Sequence, residues 1–166
     1  MSALLTAVLI PAQPHQPVAA LTLDAAELPL LWAEVGGPVD RVTLLEPAGT
    51  LFTNAWAPRF GLGANKRATV LAAAANPVWR GGTILGDAVL VGAAHGGVET
   101  SADPAYTRAL LAPSGRYGIT LRTPTGAQPP GALPPVRWSD PFAAYADGLL
   151  LARGYPHHTI RVHRLD

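Results

Sequence analysis

The sequence predicts an α+β fold: a mostly antiparallel sheet with three to four short helices packed on it. Three observations carry that expectation. The stretch Gly81 to Gly97, GGTILGDAVLVGAAHGG, is an apolar run bracketed by glycines with Asp87 as its sole formal charge, the pattern of a strand buried on both faces. Two pairs of short strand-like segments lie close enough in the chain to close as hairpins. Helical segments fall between strands without the regular βαβ rhythm of a parallel sheet.

Taken in order, Thr6 to Ile10 reads as a strand, ended by Pro11 and the proline-rich PAQPHQP, and Val18 to Leu23 reads as its hairpin partner. Asp24 with Glu27 mimics a capping box, but Pro29 would then fall inside the helix. The spacing therefore predicts a helix from near Leu28, with Pro29 in the first turn. Leu31 and Val35 share one face, and Gly36-Gly37 supplies a left-handed stop. Val39 to Leu45 and Thr50 to Trp56 form the second hairpin, around a turn at Glu46 to Gly49. After the loop PRFGLGAN, the alanine-rich Lys66 to Ala75 is helical and Asn76-Pro77 ends it.

Beyond the central strand, VETSADP reads as a polar turn. Asp103-Pro104 then supplies an N-cap and first-turn proline for a helix through Leu111, stopped at Pro113. Arg116 to Thr123 alternates, with Tyr117, Ile119 and Leu121 on one side. Pro124 to Val136 contains five prolines and is expected to be a loop. Asp140-Pro141 opens a helix in which Phe142, Ala146, Leu149 and Leu150 recur at helical spacing, and Gly154 and Pro156 close it. Thr159 to Leu165 is a last strand, its Ile160 and Val162 alternating with Arg161 and His163. Two parts are expected, 1–97 and a helix–strand–helix–strand extension over 98–166, sharing one core.

Composition narrows the function. With 166 residues, 49% apolar and 14% charged against a usual ~25%, the chain can bury a substantial core. A net charge of +1 gives no field to steer it onto nucleic acid or a membrane surface. The absence of cysteine excludes thiol catalysis, disulfides and thiolate metal sites. The opening MSALLTAVLIPAQP has no basic residue ahead of an apolar run that Pro11 cuts at about ten residues, so it reads as a strand and not a signal peptide. No stretch approaches the ~20 apolar residues of a membrane span, and a soluble cytoplasmic protein is expected.

Several stretches together resemble the bacterial and phage family described as "domain of unknown function 3846". They are TAVLIPAQPHQPV at the start, VGGPVDRVTLL over 35–45, LFTNAW with Asn54, LGANKRAT over 62–69, and GDAVLVG over 86–92. The resemblance covers the first ~90 residues, and the aromatic-led helix from Trp138 to Arg153 with its following strand is similar to longer members. Lys66 stands between Asn65 and Arg67 where the family has an Asn-Arg pair. The resemblance implies an origin on phages, plasmids or integrated elements, and no activity.

The candidate site residues are Asn54, Asn65, Lys66, Arg67, Asp87 and His95. Asn65, Lys66 and Arg67 at a helix start would set N–H groups and positive charge against an anion, and Arg67 could partner an otherwise buried Asp87. The same polar residues could instead form a network that fixes loop and strand register. His157, His158 and His163 lack an acidic ligand nearby, so no metal and no cofactor are expected. The expectation that follows is a non-enzymatic accessory protein capturing a small anionic or nucleotide ligand, or a protein partner. One alternative is a small-substrate enzyme using Asp87 or His95 as base with Arg67 as anion clamp. Another is a nucleic-acid binder whose Arg67, Arg80, Arg116, Arg122, Arg161 and Arg164 gather into a patch. A homodimer through an apolar edge at 159–165 is a further expectation.

Overall fold

The computed structural model describes residues 3–112, 114–125, 127, 133 and 136–166. Its strands are β1 (Leu4–Ile10), β2 (Ala19–Asp24), β3 (Val39–Leu45), β4 (Ala48–Asn54), β5 (Ala88–His95), β6 (Val98–Thr100), β7 (Tyr117–Arg122) and β8 (Thr159–Arg164). Its helices are α1 (Leu31–Val35), α2 (Lys66–Ala75), α3 (Pro104–Leu110) and α4 (Pro141–Leu151). The fold is α+β, as expected. A large antiparallel sheet runs β2-β1-β5-β4-β3, with β6 paired to the far end of β5, and β7 and β8 make a separate two-stranded ribbon.

β5 is the middle strand, and the period of two divides its side chains between two cores. Val89 and Val91 face α1, packing with Ala7, Phe52, Leu31 and Val35. Ala88 and Leu90 face the opposite layer, where Val8, Leu51 and Leu71 meet Tyr106, Tyr117, Tyr145 and Ile160. That second cluster draws on residues from both the 1–97 and the 98–166 stretches. Removing a buried leucine such as Leu71 or Leu90 costs roughly 2–5 kcal/mol, so this cluster dominates stability. Gly148 of α4 lies against Ile160 so closely that a Cβ there would meet its methyl at 2.7 Å. The glycine therefore sets how near α4 sits to the ribbon.

Four expectations need correction. The central strand begins at Ala88, well inside the Gly81 to Gly97 run, because Gly86 adopts φ 76° and breaks the extended run; its Ala93 to His95 end is exposed. Asp87 accordingly stands just ahead of the strand and not within it. VETSADP is not wholly a turn, since Val98–Thr100 is β6. Helical backbone starts at Ala25 as a 3₁₀ stretch, interrupted at Glu27, with the Asp24 carboxylate accepting from the Ala26 N–H at 2.9 Å. The tighter 3₁₀ turn bridges the residues ahead of α1 that a regular helix could not. β4 ends at Asn54, two residues early, because the Asn54 side chain takes the Trp56 N–H and turns the chain. The expected loop over 124–136 and the stop at Pro113 lie largely outside the described residues.

Candidate functional site

Three of the six sequence candidates converge under the β1–β2 loop. Asn65 is fully buried at the start of α2. Its Nδ2 donates to the carbonyls of Ile10 (2.8 Å) and Gly86 (2.9 Å), and its Oδ1 accepts the Ala68 N–H at 3.0 Å. The side chain thus spends both its donor hydrogens and one of its two acceptor positions on tying β1, the strand approach and α2 together. Arg67, two residues on, reaches over the loop and donates to the carbonyls of Pro11, Gln13 and Gln16. Asp87 accepts the Ala12 N–H at 2.8 Å. Arg67 and Asp87 meet through the backbone of that loop and not in a direct ion pair. Burial pulls the Arg67 guanidinium down from its ordinary pKa, against the favourable fields of Asp140 and then Asp87.

The other three stand apart. Asn54 lies on the opposite face of the sheet, where its Nδ2 donates to the Val35 carbonyl at 3.0 Å and closes off the end of α1. A Cβ at Gly37 would meet that amide at 2.9 Å, which explains the second glycine of the pair. Lys66 is exposed. His95 is exposed at the far end of β5, about 25 Å of strand from Asp87 at ~3.3 Å per residue. His95 and Arg67 therefore cannot act on one substrate atom. At the start of α2 the Ala68 N–H is already taken by the Asn65 cap.

The six arginines of the nucleic-acid alternative each engage an acceptor within the chain. Arg67 binds the three loop carbonyls. Arg80 donates to the Tyr155 carbonyl at 3.0 Å and to that of His158, pinning the 155–158 loop to the end of α2. Arg122 and Arg161 share Glu46, and Arg116 and Arg164 share Asp166. Among the described residues, no three His, Asp or Glu are grouped to hold a metal ion, and no helix is long and apolar enough to cross a membrane.

What the sequence did not announce is the cleft beside Arg67. With a volume of about 730 Å³, it lies between Pro14 and Pro17 of the β1–β2 loop, the end of α3 at Leu110 and Leu111, and the start of α4. Arg67, Ser114, Tyr117, Ser139, Asp140 and Phe142 supply its chemistry. The Arg67 guanidinium stands 5.8 Å from the centre of the Phe142 ring. Asp140 caps α4 through one oxygen, accepting the Ala143 N–H at 2.9 Å. Burial raises the Tyr117 phenol above its ordinary pKa, so its hydroxyl stays protonated at neutral pH. In the sequence, Asp140 and Phe142 are visible only as the cap and the first apolar contact of a helix. Only the fold brings them against Arg67, 73 and 75 residues away.

No protein-family model, curated protein or solved structure matches the chain. The resemblance drawn above rests on its quoted motifs.

Proposed function

We propose that the protein is a non-enzymatic binder that captures a small ligand in the cleft between Arg67 and Phe142. The observation that carries the reading is the convergence, in one cleft of about 730 Å³, of a guanidinium, an aromatic ring, two serine hydroxyls and a carboxylate. That volume falls in the range of small-molecule sites, and the mixture of a few polar groups with Pro17, Val18, Leu110 and Phe142 fits one. The best-matched ligand has a planar ring to lie along Phe142, an anionic or carbonyl acceptor for Arg67, and an N–H for Asp140. A nucleotide has all three. In this reading Arg67 contacts the ligand, while Asn54, Asn65 and Asp87 serve the framework. An accessory role on a phage or mobile element accords with the family resemblance.

The test is native mass spectrometry of protein purified from its own host, with Ser139→Phe filling the cleft as the comparison. A small molecule retained by the wild type and lost from an equally stable Ser139→Phe supports the reading. A bare mass for each, matching its own sequence with nothing bound, counts against it.

A second reading, capture of a protein partner, draws on the loop after β4. Trp56 and Phe60 are about half exposed there, edge to face at 6.1 Å, with Arg59 over the Trp56 ring. Tryptophan and arginine dominate the energetics of interfaces. Trp56→Ser would abolish such capture and leave small-ligand retention unchanged.

A further inference from the structure

The outward face of the β7–β8 ribbon carries more positive charge than its partner can neutralise. Register places Arg122 opposite Thr159 and Thr120 opposite Arg161, so the two arginines are diagonal neighbours on one face. Glu46, from the β3–β4 turn, stands over them with Oε1 at 3.3 Å from the Arg161 Nε and 3.7 Å from the Arg122 Nε. One carboxylate oxygen thus serves two guanidiniums, and neither contact has hydrogen-bond geometry: both Nε atoms and Oε1 are buried without a hydrogen-bond partner. The Thr159 hydroxyl beside them is also unpaired, on a residue only 4% exposed. A cleft of about 310 Å³ adjoins the cluster on the side of Glu46 and Thr159, lined also by Thr123, Asn76 and His157; the two arginines are not part of its lining.

Buried donors without a well-formed hydrogen bond are costly, and several in one place call for an acceptor that several donors can share. A tetrahedral oxyanion has that shape and charge, and arginine pairs are its usual protein counterpart. We propose that a phosphate-class oxyanion binds between Arg122, Arg161 and Thr159 at the edge of this cleft, and that Glu46, which lines the cleft and faces both guanidiniums, is a built-in competitor which the anion displaces. His163, on the same ribbon face, is held below its ordinary pKa by burial and then by Arg161 and Arg122, in keeping with an unneutralised positive field. The site is independent of the Arg67 cleft and of the function proposed for it.

The competitor role gives the test its sign. Inorganic phosphate and a nucleoside monophosphate are titrated separately at constant ionic strength, binding followed by calorimetry, with the folded state of every variant checked by circular dichroism. Wild type should bind phosphate saturably, and Glu46→Gln should bind it several-fold more tightly because the resident anion is gone. Arg161→Gln should bind about tenfold to a hundredfold more weakly, the loss of a charge-assisted bond. Thr159→Val, nearly isosteric, should weaken binding with no change in fold. Equal affinities for the two probes would assign the site to the phosphate group alone; tighter monophosphate binding, lost in the same variants, would extend it to the attached ester. No saturable binding of either probe, or a Glu46→Gln that binds no better than wild type, overturns the proposal.

Discussion

Arg67 donates to the carbonyl oxygen of Pro11 at 2.6 Å, and the same Nη2 reaches the carbonyls of Gln13 and Gln16 at 2.9 Å. One side chain from α2 therefore holds the whole β1–β2 loop, whose prolines leave few N–H groups for any other anchoring. The loop in turn walls the larger cleft. Shape on one side of the cleft depends on a bond made on the other.

Replacing Arg67 by methionine should keep the aliphatic packing and lose all three acceptors. The expected cost is about 2 kcal/mol, typical of hydrogen bonds from a charged donor. Arg67→Lys should recover only part of it, since an ammonium cannot match the reach and geometry of the guanidinium fork. Hydrogen exchange is the decisive reading: amides of the 12–18 segment should lose protection in both variants, while those of β4 and β5 keep theirs. Uniform loss across the sheet would show that Arg67 supports the fold at large.

Asn65 allows a sharper comparison. Asn65→Ala leaves the Ile10 and Gly86 carbonyls and the Ala68 N–H without partners, a loss of about 3 kcal/mol or more at ~1–3 kcal/mol per orphaned group. Asn65→Asp keeps the cap on Ala68 but turns a carboxylate oxygen toward two carbonyl oxygens. It should be the worse of the two at pH 7, although aspartate is an excellent helix cap in water. Those carbonyls and the burial would raise the folded-state pKa of the new carboxyl above its unfolded value. Its penalty should therefore shrink as the pH falls toward 5, whereas that of Asn65→Ala should not. Denaturant melts of both variants at the two pH values measure this.

Much of the architecture was readable because local chemistry and final fold agree. Asn65, Asp103 and Asp140 announce helix starts that the structure places where the residues say. Leu31 and Val35 fall on one buried face, and Tyr117, Ile119 and Leu121 are buried along β7, both as periodicity predicts. The misses have one physical character: they depend on what another segment does. β6 exists because Gly92 lets the returning chain approach β5, and β4 stops early because Asn54 bonds back to its own turn. The Glu46–Arg122–Arg161 cluster joins a hairpin tip to a ribbon over 70 residues further on. Alternation alone puts Arg161 and His163 on one face and Thr120 and Arg122 on another, but only the β7–β8 register makes those faces the same. Tyr106, whose buried hydroxyl donates to the Pro47 carbonyl at 2.7 Å, escaped for the same reason.

Gly92 marks a close approach that no other residue permits. A Cβ there would lie well inside contact distance of the Ser101 carbonyl and the Thr100 hydroxyl, at the irregular register between β5 and β6. Because the obstacle includes backbone, it cannot be relieved by a rotamer change. Gly92→Ala should cost about 1–3 kcal/mol through overpacking. It should also release β6, seen as loss of exchange protection at 98–102 beyond that expected from the global change. Gly96→Ala, in open space at φ 59°, should cost only its backbone strain, about 1 kcal/mol.

Acid should destabilise the protein through His163. Burial first, then Arg161 and Arg122, hold its imidazole below the ordinary range, so the folded chain keeps it neutral where the unfolded chain, titrating near pH 6.5, takes a proton. Between about pH 7 and pH 5 the unfolded state thus binds more protons, and stability falls as the pH falls. His163→Gln removes the titrating group, so its melting temperature should drop less than that of wild type across the same interval. Arg161→Gln removes part of the opposing field and should reduce the drop without abolishing it, since burial remains the larger cause. Thermal melts at half-unit steps from pH 7.5 to 5 separate the cases. Superimposable profiles for wild type and His163→Gln would assign the acid sensitivity to other groups.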